Sequence, residues 1–160
     1  MTKRIYKKLG ISDLRSVVDM GKNFRSSFIE EENARQFLSN PQNWLFACIE
    51  RTEKEVGAYK KPDMVIGFAY GYELNRLDVS GNMLYIHEVG VLPEFQHQGI
   101  GTELLRNITM LCKLTGICKF FLGTQKSNTA AMKLYAKSGG KPSVDESHGD
   151  THVMFYFNTN

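Results

Sequence analysis

The order of apolar and polar segments predicts an α/β protein built on a mixed sheet with helices on both faces. Three observations predict it. From Leu84 onward the chain reads strand, helix, strand, helix, strand. The turn Gln96-His97-Gln98-Gly99-Ile100-Gly101-Thr102 joins the first of these strands to the first of these helices. Ahead of it, apolar runs separated by polar, turn-rich stretches read as an antiparallel meander. With 160 residues, 42% of them hydrophobic, the chain is long enough to bury about 68–70% of its unfolded surface. A single domain spanning residues 1–160 is expected.

Taken in order, Ile5 to Leu9 reads as a short strand. Ser12 is a candidate N-cap for a helix carrying Leu14, Val17 and Val18. A second helix is expected from Glu31 to Leu38, stopped by Asn40-Pro41. Trp44 to Ile49 is uninterruptedly apolar, the pattern of a strand buried on both faces. Arg51 to Pro62 is polar and contains Gly57, so an exposed hairpin loop is expected. Met64 to Tyr72 is the next strand and Asn75 to Asn82 the next loop. Leu84 to Val91 is the strand that enters the glycine turn. The helix beyond it repeats apolar residues at Leu104, Leu105, Ile108, Leu111 and Cys112 with a 3.6-residue period. Gly116 stops that helix, and Ile117 to Gly123 is a strand. Asn128 to Lys137 is a helix capped by Ser127 or Asn128, with Gly139-Gly140 past its end. His152 to Phe157 forms the last strand.

Composition narrows the function classes. The net charge is +3, and the densest basic run, Lys3-Arg4 with Lys7-Lys8, reads as a solvated strand edge rather than a nucleic-acid stripe. Cys48, Cys112 and Cys118 are an odd number in apolar surroundings, the pattern of free thiols in a reducing compartment. No Cys-x-x-Cys or paired-His spacing points to a metal. Met1 to Tyr6 lacks the apolar core of a signal peptide, and no run of about 18 apolar residues occurs. A cytoplasmic protein without membrane or nucleic-acid partners is expected.

The glycine turn carries the clearest chemistry. Glycines between a strand and a helix let backbone N–H groups converge on an anion, and the helix N-terminus adds a favourable dipole. Each charge-assisted hydrogen bond of this kind is worth about 1.5–3 kcal/mol, so a few suffice to hold a pyrophosphate. The ligand is expected beside the strand that carries this turn, where the sheet changes character.

Gln96-x-x-Gly99-x-Gly101 after a Val-rich strand, followed a strand later by Asn128-x-x-Ala131-x-x-Leu134-Tyr135, resembles the GNAT superfamily of acyl-coenzyme A-dependent N-acetyltransferases. The order of elements agrees over nearly the whole chain. The resemblance implies a central sheet of about seven strands flanked by about four helices, with a splayed strand pair at the cofactor site. It implies acetyl-coenzyme A as co-substrate and no metal. It assigns the backbone of Val89 and Val91 to the pantetheine arm. Gln96 and the amides around Gln98, Gly99, Gly101 and Thr102 fall to the pyrophosphate, Asn128 to the pantetheine, and Tyr135 to the neighbourhood of the sulfur. A finer likeness, carried by Tyr85 to Val91, Pro93 to Thr102 and Gly67 to Leu74, is to the aminoglycoside 3-N-acetyltransferases. Gln96 stands where the family more usually has Arg, which leaves more of the phosphate grip to main-chain amides.

Acetyl transfer to an amine requires loss of an ammonium proton, polarisation of a thioester carbonyl and protonation of the departing thiolate. Glu88 is the candidate general base. An ordinary Glu, with a pKa of about 4.3, is weak for the task, and burial in a half-apolar cleft is expected to raise it. The Val89 N–H is a candidate oxyanion donor, and Tyr135 a candidate acid or hydrogen-bond donor to sulfur. Plainer roles stand beside these: Glu88 as a surface residue, Tyr135 as core, the glycines as a tight turn, Asn128 as a helix cap. His87 is expected on the strand face opposite Glu88, and His97 in solvent.

Candidate acids for holding a polycationic acceptor are Glu73 and Asp78, with Asp145, Glu146 and Asp150 before the last strand; Glu30, Glu31 and Glu32 precede the second helix. Three functions follow from the resemblance. The first is acetylation of an aminoglycoside at its 3-amino group, conferring resistance. The second is acetylation of another amine, such as a protein N-terminus, a lysine or a small metabolite. The third is a non-catalytic acyl-coenzyme A-binding module. A homodimer is expected, with the apolar strand Val153 to Phe157 as a surface for a second copy.

Overall fold

A computed structural model describes residues 2–24, 28–52, 55–56, 59–60, 63–143 and 151–160. The elements run β1 (Thr2–Lys8), α1 (Leu14–Asn23), α2 (Glu31–Ser39), β2 (Asn43–Thr52), β3 (Glu55–Val56), β4 (Tyr59–Lys60), β5 (Met64–Leu74), β6 (Met83–Val91), α3 (Ile100–Thr115), β7 (Lys119–Gln125), α4 (Thr129–Lys137), β8 (Lys141–Pro142) and β9 (His152–Asn158). Seven strands form one sheet in the order β1-β2-β5-β6-β7-β9-β8, while β3 and β4 pair separately. This is the expected mixed α/β architecture with its four helices. Among the described residues β6–β7 is the one parallel pairing, set between antiparallel neighbours.

Strict alternation along β2 builds two cores from one strand. Trp44, Phe46 and Cys48 enter the layer beneath α3 and α4, while Leu45, Ala47 and Ile49 enter the layer beneath α1 and α2. A continuous apolar run is what such two-sided burial demands. On α3, Ile100, Leu104, Leu105, Ile108 and Cys112 are all buried. At about 1.5–3 kcal/mol per large apolar side chain, this face contributes on the order of 10 kcal/mol against the sheet.

Two local expectations are corrected. Ser12 does not cap α1, because Ile11–Asp13 is already a single 3-10 turn. Asp13 does the capping there: its carboxylate accepts the Gly10 N–H at 3.0 Å and pairs with Lys7 at 2.6 Å. The strand expected at Ile117 to Gly123 begins at Lys119 and runs to Gln125. Ile117 instead donates its N–H to the Cys112 carbonyl at 2.9 Å, closing the end of α3 past Gly116.

Candidate active site

The parallel pairing of β6 with β7 runs from Met83↔Lys119 to Ile86↔Leu122 and stops. Beyond that rung β6 stays paired to β5, through Glu88, Val89, Gly90 and Val91, and β7 stays paired to β9. The two strands therefore part at His87, which opens a cleft in the middle of the sheet. The Leu92 N–H donates to the Ile66 carbonyl on the β5 side at 3.0 Å. Backbone polar groups alternate along a strand, so Val91 and Val89 turn theirs to the edge that β7 has left. The Val91 carbonyl there accepts Gln96 Nε2 at 3.1 Å. That contact commits the Gln96 amide to bracing the turn on the strand end.

The turn itself is an N–H-lined concavity. His97 has φ +59°, the one non-glycine positive φ among the described residues, and Gly99 has φ +79°. Among the described residues no backbone N–H from His97 to Thr102 has a hydrogen-bond partner; the first amide of this stretch to find one is Glu103, which donates to the Gly99 carbonyl at 3.0 Å. Successive amides in alternating handedness at a helix N-terminus form an anion-binding nest. Gly99 is required by its dihedral alone, since a Cβ there would meet nothing within 4 Å. Gly101 has a different reason: a Cβ would stand 2.9 Å from Leu134 on α4, so this glycine lets the two helices close. Gln98 is tied on both sides, its Nε2 donating to the Glu94 carbonyl at 3.1 Å and its Oε1 accepting the Arg4 guanidinium from β1. Thr102 sits half-buried in the first turn of α3.

A bulge in β6 shapes the other side of the cleft. Tyr70 faces Glu88 but Gly71 faces Ile86, leaving His87 as the extra residue. Bulges aim neighbouring side chains the same way, and the expectation that His87 and Glu88 point to opposite faces is overturned. The His87 ring lies 5.2 Å from the Tyr70 ring. Burial first, and then the Glu88 carboxylate, push the Tyr70 phenol up. Glu88 is exposed, so the burial in a half-apolar cleft expected for it is not found in this structure. Gly71 is essential to the bulge: a Cβ there would fall 1.8 Å from the Tyr85 carbonyl oxygen.

Tyr135 is 6% exposed and packs edge-on against Phe155 at 5.6 Å. Burial pushes its phenol up to about 12. Asn128 caps α4, its Oδ1 accepting the Ala131 N–H at 3.1 Å. Among the described residues, four of the acids expected around the acceptor have other partners. Glu73 points to the α3 side, where it accepts Trp44 Nε1 at 3.2 Å and Asn82 Nδ2 at 2.7 Å. Asp78 pairs with Arg76 at 2.7 Å in the loop before β6, at the end of the strand away from the glycine turn. Glu31 and Glu32 pair with Arg35 on α2. Asp145, Glu146 and Asp150 lie outside the described residues. Among the described residues no cluster of metal-ligating side chains forms, and no helix is long and apolar enough to cross a membrane. Sequence reasoning passed over Tyr70, and it set His87 on the far strand face and Arg4 on a solvated edge; their partners are fixed by cross-strand register and tertiary contact.

Comparisons with known proteins agree with this architecture. The chain is 25% identical over 138 residues to the thialysine N-epsilon-acetyltransferase of Mus musculus, covering 85% of this chain and 78% of that relative. An aminoglycoside acetyltransferase from an uncultured soil metagenomic sample, solved with trehalose and with sisomicin, superposes with a TM-score of 0.72 at 18% identity, covering 90% of this chain and 91% of the other. NAA60 of Arabidopsis thaliana in complex with acetyl-CoA superposes with a TM-score of 0.71 at 15% identity, covering 98% of both chains. Residues 18–140 match the model of the Acetyltransferase (GNAT) family. The chain belongs to the GNAT family of acetyltransferases.

Proposed function

We propose that this protein transfers the acetyl group of acetyl-coenzyme A to a primary amine in the cleft between β6 and β7. The carrying observation is the parting of these strands beside an elbow of unpartnered amides. A strand edge offering the Val89 and Val91 backbone suits an amide-bearing arm, and the amides from His97 to Thr102 suit a pyrophosphate. Acetyl-coenzyme A supplies an activated thioester. The residues of this chain do the remaining work. Glu88 takes the ammonium proton, directly or through a water, and its charge draws the cationic amine to the bulge. The amine nitrogen then bonds to the carbonyl carbon as the carbon–sulfur bond breaks, with the Val89 N–H as oxyanion donor, and the second proton shed by the acylated nitrogen passes to the departing thiolate, which leaves as the thiol. Tyr135 holds its proton far more tightly than a thiol does, so its role is to donate a hydrogen bond to sulfur rather than to give the proton away. Asn128 keeps α4 in place behind it.

The aminoglycoside reading calls for several carboxylates around the amine. Among the described residues Glu88 stands at the bulge without Glu73 or Asp78, so that reading rests on the resemblance. The test of the main proposal is Glu88→Gln. Turnover, followed by thiol release, should fall about 10²–10⁴-fold, while acetyl-coenzyme A binding by calorimetry stays within twofold of wild type. Undiminished turnover would remove Glu88 as base. Failure of the wild-type protein to bind acetyl-coenzyme A would remove the proposal altogether.

A further inference from the structure

The sheet face on the α1–α2 side carries a continuous run of rings leading away from Glu88. Tyr70 and His87 are 5.2 Å apart, His87 and Tyr85 6.0 Å, Tyr85 and Phe121 5.4 Å, and Phe121 and Tyr156 5.7 Å. The run crosses β5, β6, β7 and β9 in cross-strand register, Tyr85 facing Phe121 and Phe121 facing Tyr156. Tyr72 and Tyr156 are 36% and 38% exposed, and His87 is exposed as well. The buried core beneath α1 and α2 is built on β2 and β5 and stops short of β6, β7 and β9. A row of rings of this length, with His87 and Tyr156 exposed and Tyr70, Tyr85 and Phe121 half-buried between and beside them, is unusual on a protein surface and marks a contact site.

Its two ends differ in charge. Glu88 stands at the first. At the other, Lys119 Nζ lies 6.0 Å from the Tyr156 ring centre and Lys141 is Tyr156's partner across β8 and β9. Lys119 also lies near Asp78, whose carboxylate is already paired with Arg76. The four ring-to-ring steps trace a path of roughly 20 Å, the span of about six extended residues. That is too long for a small amine. An amine at the very end of an extended chain sets its nitrogen beside Glu88 and leaves the rest of the chain to run along the row.

We propose that the acceptor is the α-amine of an extended peptide, laid across Tyr70, His87, Tyr85, Phe121 and Tyr156 through apolar side chains, with an acidic residue about five positions downstream near Lys119 and Lys141. This rests on the acetyltransferase reading above and specifies its acceptor. Three hexapeptides with the same N-terminal alanine separate the contributions: Ala-Phe-Gly-Phe-Gly-Asp, its Arg-terminated counterpart, and Ala-Ser-Gly-Ser-Gly-Asp, with kanamycin as the polycationic comparison. The first should be acetylated with kcat/KM at least tenfold above each of the others. Tyr156→Ser and, separately, Lys141→Glu should each lower that preference at least threefold through KM, leaving acetyl-coenzyme A affinity unchanged.

Binding is read independently of turnover by shifts in the aromatic proton resonances of Tyr85, Phe121 and Tyr156 on adding the first peptide. Equal use of the three peptides, preference for kanamycin, or shifts that spare these rings would overturn the proposal. Loss of acetyl-coenzyme A binding in the wild-type protein would overturn the acetyltransferase reading and the acceptor role with it, whereas intact cofactor binding with no shifts at these rings would overturn the peptide acceptor alone.

Discussion

Gly71→Ala tests whether the β5–β6 bulge organises the active site. A Cβ on Gly71 would sit 1.8 Å from the Tyr85 carbonyl oxygen, and 2.8 and 2.9 Å from the Tyr85 carbonyl carbon and the Ile86 Cα. All three are backbone atoms, so no side chain can swing aside. A carbon needs about 3.3 Å from such an oxygen, close to the separation of weak C–H···O contacts, so the strands must part by roughly 1.5 Å. Neighbouring strands are about 4.8 Å apart, and a gap of that size breaks the nearby ladder bonds. Two or three lost hydrogen bonds at about 1 kcal/mol each, with about 1–3 kcal/mol of overpacking strain, give about 3–5 kcal/mol. That is a large share of a typical 5–15 kcal/mol, and corresponds to a fall in Tm of about 10–15 °C. In whatever fraction stays folded, Glu88 and His87 lose their aim at Tyr70, and kcat/KM should fall at least about 10²-fold.

The assays are urea unfolding and thiol release. Gly99→Ala is the control: its Cβ meets nothing, and only its φ of +79° is penalised, at about 1–2 kcal/mol. A Gly71→Ala protein within 1 kcal/mol of wild type and with unchanged kcat/KM would refute the reasoning.

The remaining predictions concern the elbow, the cap and pH. Arg4→Met removes the cation that clamps Gln98; the dissociation constant for acetyl-coenzyme A, measured by calorimetry at low salt, should rise about threefold to tenfold, with the difference shrinking in high salt. Asn128→Ala deletes the acceptor for the Ala131 N–H and should cost about 1 kcal/mol by urea unfolding, with Asn128→Ser recovering most of it. Burial pushes both the Cys112 thiol and the Tyr135 phenol up to about 12 from ordinary values of 9.0 and 10.0. A raised folded-state value means the stabilising protonated form is fully present below the unfolded value and lost as pH climbs through the folded one. Stability should therefore hold below pH 9 and fall by several kcal/mol between pH 9 and 12, since each tenfold difference in proton affinity between the folded and unfolded chain is worth about 1.4 kcal/mol. Cys112→Ala should delay the onset by about one pH unit, as followed by circular dichroism.

How much was legible follows from the range of each interaction. Helix α3 could be read from the 3.6-residue spacing of Leu104, Leu105, Ile108 and Cys112, and β2 from its unbroken apolar run, because burial on a regular element repeats with that element's own period. The elbow was legible for a similar reason: Gly99 must adopt a positive φ that few other residues tolerate, and that demand is local. Ser12 was misplaced because a single 3-10 turn and a helix start share the same residues and differ only in where Asp13 directs its carboxylate.

The amino-acid order alone made the individual strands and helices and the glycine turn legible, since each depends on neighbours within about a dozen positions. Tertiary structure alone decided that His87 joins Glu88 on one face, that Glu73 serves Trp44 and Asn82 rather than an acceptor, and that Tyr85, Phe121 and Tyr156 line up into one surface. Each of these follows from register between strands far apart in the chain. Because side chains alternate with a period of two, a slip or bulge of one residue reverses the face they occupy.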